Sequence, residues 1–262
     1  MAARAHRHHV EEEESYFISM TDLMVGLLFI FIIMLMFFAL QFKDAREQTV
    51  DHLRSAEEVR RQILSDIEQL LKEQGIEVKV VWDQGMLRLP ESVLFEKGSA
   101  ELNAQGRRSI EALASALMEV LPCYTSGELS RTEGCPARIA TVDAIFIEGH
   151  TDNDPLTPRS GMRDNLDLSV MRATNTYRAL LDASTDDAGV VAVLMFENSR
   201  DVPVLSVSGY GEYRPVEADQ DTEELKAKNR RIDLRILMTT PQSKDVEVIQ
   251  DNLNDAQREL SQ

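Results

Sequence analysis

Basic residues are in deficit in this chain of 262 residues: 28 Lys and Arg stand against 45 Asp and Glu, giving a formal net charge of −17 and a sequence pI near 4.7. That balance argues against a nucleic-acid partner, whose phosphates need a basic face. Cysteine is scarce as well. Cys123 and Cys135 are the only two, in a stretch rich in Gly, Ser, Thr and Pro. Their spacing suits a disulfide in an oxidising compartment, and two free thiols are the alternative. A cleavable secretory signal is not expected either, since the one long apolar run exceeds a typical signal core and has no small-residue cleavage site after it. No Ser-His-Asp arrangement, reactive cysteine or phosphate loop is legible, so the chain reads as a non-enzyme without a cofactor.

What is present is a long hydrophobic run. Met20-Thr21-Asp22-Leu23-Met24-Val25-Gly26 leads unbroken into Leu27–Leu40, and no charge falls between Leu23 and Leu40. With the flanks from Tyr16 to Phe42 the segment has roughly 25 residues, enough for one transmembrane helix. Asp22 is the exception. A carboxylate inside such a segment costs about 2.5–3.5 kcal/mol at mid-helix and less near the ends, so it marks a candidate functional site. The alternative is that Thr21-Asp22 caps a helix starting at Leu23. Counting Lys and Arg around the span (Arg4 and Arg7 before it, Lys43, Arg46, Arg54, Arg60 and Arg61 after it) would put the C-terminal side in the cytoplasm, but large domains cross largely regardless of charge.

No helix breaker occurs from Gln41 to Gln74, and Leu53, Val59, Ile63, Ile67, Leu70 and Leu71 form one helical stripe. The membrane helix is thus expected to continue as a stalk to Gly75, its stripe covered by a second copy or by the following domain. Strands are expected at Glu77 to Trp82, Met86 to Leu89, Ile139 to Ile147, Val204 to Val207 and Ile232 to Leu237. Helices are expected after the cap Asn103, after Asn165, and over Val190 to Phe196. Strands alternating with helices give an α/β sandwich of βαβαβ type, one sheet against helices. The expected divisions are a tail 1–15, a transmembrane helix 16–42, a helical stalk 43–76, a domain 77–240 and a polar C-terminal tail 241–262.

The linked motifs Glu148-Gly-His-Thr-Asp152, Asn165-x-x-Leu168-Ser169-x-x-Arg172-Ala173, Gly209-Tyr-Gly211 with Pro215, and Asn229-Arg-Arg-Ile-Asp233 resemble the OmpA C-terminal, peptidoglycan-binding family. Phe95 with Ser99-Ala100-Glu101-Leu102 resembles that family's opening segment, and the longer loop between Asp152 and Asn165 resembles its MotB branch. The resemblance implies that Asp152 and Arg172 hold the free end of diaminopimelate in cell-wall peptide. The chemistry agrees, because that group carries an ammonium and a carboxylate on one carbon and needs an anion beside a two-pronged cation. Thr151 and Asn165 would add neutral hydrogen bonds and Arg230 a further donor. Alternatively, Asp152 and Arg172 simply pair with each other. His150, Asp152 and Asp154 also form a paper metal site, but no second cluster completes it. A wall-binding domain implies a periplasmic C-terminal side and a cytoplasmic N-terminus, and an oxidising periplasm favours the Cys123–Cys135 disulfide.

One transmembrane Asp, a stalk and an OmpA-like domain also resemble the MotB stator subunits of flagellar motors. Met20 to Met24 running into Phe29–Ile33 is similar to the MotB-like subunits of the Zorya anti-phage defence system. Both likenesses imply a homodimer inside a ring, pentameric by that likeness, of MotA-type or Zorya-type multi-pass subunits, with Asp22 passing ions, most simply protons. They also leave a passive peptidoglycan tether as an alternative.

Overall fold

The computed structural model describes residues 3–136, 140–157, 161–185 and 192–239; for 3–19, 45, 48, 49, 51 and 52 only the backbone is described. The chain divides into two compact units, Met1–Asp51 and His52–Gln262.

Helix α1, Ala3–Glu73, supplies the first unit and enters the second. Its segment Met20–Asp44 is 25 residues long, and its side chains are exposed on every face. A helix apolar all round has no polar side to give to water, and this one is long enough to cross a bilayer. Asp22 lies in the interior of α1, far from its first turn. The capping alternative is thereby removed: the backbone amides after Asp22 already bond within the helix.

In the second unit, the end of α1 is part of the core. Ile63, Leu64, Ile67 and Leu71 are fully buried with Leu89, Leu113 and Leu117, so the apolar stripe is covered by the domain that follows it. Leu53 is exposed and does not join them. The helix stops in a Schellman turn: Gly75 sits at φ 74°, its N–H donates to Lys72 O (2.9 Å), and the Ile76 N–H donates to Leu71 O (3.0 Å). Leu71 and Ile76 are both buried, supplying the apolar pair that usually accompanies this turn.

The sheet has five strands: β1 (Lys79–Val81), β2 (Met86–Pro90), β3 (Val142–His150), β4 (Leu205–Gly209) and β5 (Arg231–Met238). Their order is β1-β2-β5-β3-β4, with β3 and β4 parallel and every other pair antiparallel. The helices are α2 (Glu91–Leu94), α3 (Ala104–Val120), α4 (Asn165–Ala183) and α5 (Glu223–Asn229). Asn103 caps α3 by accepting the Gly106 N–H (2.7 Å). Alternation along β5 sends Ile232, Leu234 and Ile236 into the core and Arg231, Asp233 and Arg235 to the opposite sheet face. The α/β fold expected from the alternation of elements is therefore the one observed.

Some element bounds differ from expectation. Trp82 leaves the first strand for a 3₁₀ turn, Trp82–Gln84, that precedes Gly85 at φ 63°. The third strand begins at Val142, Ile139 lying outside the described residues. The helix expected over Val190 to Phe196 is a short 3₁₀ turn, Ala192–Met195, with 190 and 191 also outside the described residues, as is the tail 241–262. The loop expected around Asn229 is the end of α5, started by Thr222, whose Oγ1 accepts the Leu225 N–H. Cys123 and Cys135 are joined as a disulfide, Cα to Cα 5.4 Å, closing the loop between α3 and β3.

Candidate functional site

The site forms where β3 runs out against the start of α4. Gly149 lets them meet, since a Cβ there would stand 2.0 Å from Ser169 O. Just beyond, the Thr151 N–H donates to Gly211 O (3.0 Å), which fixes the turn carrying Asp152. Helix α4 starts at Asn165 behind its cap Asp164, which accepts the Asp167 N–H (3.0 Å), and Arg172 follows two turns later. Arg230 enters from the opposite side as the residue between α5 and β5.

Together these elements surround a cavity of about 200 Å³ whose lining includes Thr151, Asp152, Asn165, Arg172 and Arg230. All five residues expected to act together from sequence thus converge. Asp152 and Arg172 do not bond to each other. Arg230 stands beside Asp152, its Nη1 donating to Asp152 Oδ2 (2.6 Å), while the Asp154 N–H donates to the other carboxylate oxygen (3.2 Å). Arg172 donates from Nε to Ser99 O (2.8 Å) and from Nη2 to Glu91; Nη1 is not among these contacts. The Phe95 ring lies 5.3 Å from its guanidinium carbon. Asn165 Nδ2 donates to Asp154 O and Glu212 Oε2 (both 2.9 Å) and to Asp152 O (3.2 Å), pinning the loop. Thr151 Oγ1 is buried and unpartnered among the described residues, a hydroxyl left available at the cavity wall.

Glu91 is the residue that sequence reading missed. It is 6 % exposed and bridges the two arginines, one carboxylate oxygen to Arg172 and the other to Arg230. The available signal was electrostatic. Two arginines assigned to one closed site require a buried counter-charge, and Pro90-Glu91 ends an apolar strand in its vicinity. Glu223 adds a rim carboxylate, accepting from Arg230 Nη2 (2.7 Å) and from Lys97 (3.1 Å), and Lys226 pairs with Asp154.

Charge states follow from this wiring. Burial lowers the pKa of Arg172, opposed by Glu91. Burial also opposes the charge on Arg230, but hydrogen bonding to Asp152 and attraction to Glu91 outweigh it and the pKa rises. The Lys226 hydrogen bond holds the Asp154 carboxyl below its ordinary range. The site therefore offers fixed charges of both signs, the arrangement a zwitterion needs.

The paper metal site does not assemble. His150 points to the other sheet face, where one of its ring nitrogens and one oxygen each of Glu148 and Asp233 lie within 4.8 Å of one another. Those carboxylates are already taken: Glu148 by Arg235 (2.8 and 2.9 Å), Asp233 by Arg88 (2.8 and 3.1 Å) and Arg231 (2.8 Å). A bound cation would have to displace guanidinium groups, so the donor set does not fit one.

Fold and site define a chain with one apolar membrane-length helix and a mixed-sheet α/β domain holding a two-sign cavity. Over 180 residues it is 31 % identical to Motility protein B of Bacillus subtilis (strain 168), covering 67 % of this chain and 55 % of that protein. The chain spans about half the length of this curated relative. Among solved structures, a putative MotB like protein from Desulfovibrio vulgaris has a TM-score of 0.49 at 22 % identity, covering 72 % of this chain and 96 % of that one. The periplasmic domain of Helicobacter pylori MotB has a TM-score of 0.43 at 24 % identity, covering 68 % and 90 %. The cell wall anchor of the T6SS from Pseudomonas aeruginosa has 0.42 at 22 %, covering 68 % and 97 %. No family model matches the chain.

Proposed function

We propose that this chain is the wall-anchored stator subunit of an ion-driven rotary motor in the inner membrane. It acts as a homodimer within a ring of MotA-type multi-pass subunits, with the N-terminus in the cytoplasm and the α/β domain in the periplasm. The observation that carries the anchoring half is the 200 Å³ cavity, whose lining brings together Thr151, Asp152, Asn165, Arg172 and Arg230. Asp152 receives the ammonium of diaminopimelate, Arg172 offers Nη1 to its carboxylate, and Thr151 Oγ1 completes the set, with Asn165 and Arg230 holding the walls. Disulfide closure of Cys123 and Cys135 agrees with an oxidising compartment for this domain.

For the motor half, Asp22 is a carboxylate two residues inside the span Met20–Asp44, within continuous helix. In an apolar setting its charged form is disfavoured, so it can take up a proton from one side and release it to the other. One charge crossing 100 mV releases about 2.3 kcal/mol, available to turn the partner ring. Anti-phage defence of the Zorya type is the assignment we favour, on the Met20–Ile33 resemblance. Similarity to Motility protein B favours flagellar motility as the second reading. Genes for helicase and nuclease partners beside a MotA-type gene would mean defence, whereas flagellar neighbours would mean motility.

The anchoring test is capture of the full-length, detergent-solubilised chain by peptidoglycan sacculi. Asp152→Ala and Arg172→Ala should each abolish capture while the chain stays folded, and undiminished capture by both would overturn the assignment.

A further inference from the structure

The sheet face that carries His150, Arg231, Asp233 and Arg235 lines a second cavity, of about 710 Å³, which also takes in Arg61 of α1 and which the anchoring site does not use. Its cations are Arg61, Lys79, Arg88, Arg214, Arg231 and Arg235. Four are matched by carboxylates: Arg61 by Glu57, Arg88 and Arg231 by the shared Asp233, and Arg235 by Glu148. Lys79 and Arg214 have no carboxylate within ion-pair distance among the described residues; the guanidinium carbon of Arg214 instead stands over the Tyr210 ring, 3.7 Å from its centroid. Asp83 is the other acidic group on the lining. In a chain of net charge −17, five guanidinium groups gather around this one cavity.

A second observation points inward. His150 is 2 % exposed and lines this cavity, yet neither ring nitrogen has a hydrogen-bond partner among the described residues. Its Nε2 stands 3.6 Å from Asp233 Oδ2, too far for a hydrogen bond. Stacking on Tyr210 at 5.3 Å holds the ring in place. Burial and the positive charges of Arg231, Arg88 and Arg214, opposed only by Asp233, lower its pKa to about 3, so it is a neutral ring with one N–H to give. An orphaned buried donor is destabilising, and an incoming acceptor oxygen would satisfy it.

We infer that this cavity binds a phosphate ester of a polyol or sugar. A tetrahedral oxyanion offers several acceptors to guanidinium forks and to the His150 N–H, and an ammonium such as Lys79 neutralises it as a point charge. The space exceeds what a bare ion fills, and Trp82 on the lining supplies apolar surface for the organic part. The phosphate ester comes either as a free small molecule or as the repeating unit of a polymer.

Calorimetry on the full-length chain in detergent micelles tests this with sn-glycerol 3-phosphate, with a poly(glycerol phosphate) of comparable phosphate content, and with glycerol as the uncharged control. Binding of either phosphate compound but not glycerol is expected, and the arm that binds more tightly per phosphate names the source. The ¹⁵N ring resonances of His150 should shift at saturation. Lys79→Gln/Arg214→Gln changes two exposed side chains and should weaken binding at least tenfold without altering capture by peptidoglycan sacculi. Asp152→Ala should do the reverse, so failure of this inference and failure of the anchoring site remain distinguishable. No binding of either phosphate compound, or binding unchanged in the double variant, overturns the proposal.

Discussion

At the scale of single residues, the site depends on a carboxylate that never needs to touch ligand. Glu91 carries both arginines, and removing its charge leaves the buried Arg172 guanidinium without the carboxylate it is bonded to, while Arg230 keeps Asp152 and Glu223. Glu91→Gln should therefore destabilise the domain by about 3–5 kcal/mol, as for breaking a buried pair, and reduce sacculus capture; thermal melting and pull-down of the same preparation check both. His150 gives a pH signature. Its folded pKa of about 3 lies below the ordinary 6.5, so the unfolded chain binds the extra proton between those values. Stability is complete above pH 6.5 and falls as pH drops through that window. Melting temperature should decline already between pH 6.5 and 5, before most carboxylates titrate, and His150→Gln should flatten that part of the curve. Asp152, Arg172, Thr151, Asn165 and Arg230 were legible because each sits in a short, ordered motif. Glu91 was not, because nothing local to Pro90-Glu91-Ser92 announces a charge whose partners lie 81 and 139 positions away.

At the scale of elements, close approach and burial decide. Gly149→Ala would drive a methyl group into Ser169 O where β3 meets α4, and misalign the turn that carries Asp152. A loss of about 1–3 kcal/mol is expected, as for overpacking, with sacculus capture reduced along with it. The end of α1 is a core element. Ile67→Ala should cost about 2–5 kcal/mol in the melting of the α/β domain, whereas Leu53→Ala, at an exposed position of the same sequence stripe, should be close to neutral. The stripe was visible as spacings of three and four, but periodicity alone could not say what covers it. Strand cores were legible for the same reason, since β-branched runs must be buried. Strand ends were not, because Trp82 carries the same hydrophobic signal as its neighbours and turn geometry decides where pairing stops.

At the scale of the whole molecule, the proposed function needs both Asp22 and the cavity intact. Asp22→Asn should abolish motor output in cells while sacculus capture and assembly with the multi-pass partner persist; wild-type output from that variant would reduce the chain to a tether. Sacculus capture also has a time dimension. Because Asp152 is already matched by Arg230, an arriving ammonium gains no new charge neutralisation and must trade places with a guanidinium that Glu91 and Glu223 are ready to keep. Under the proposed anchoring role, such an exchange would give modest affinity and rapid release for one domain, and a firm hold on the wall would require two domains gripping at once. Anchoring would then report on dimer geometry, tight when both domains reach the mesh and quickly lost when either is drawn away.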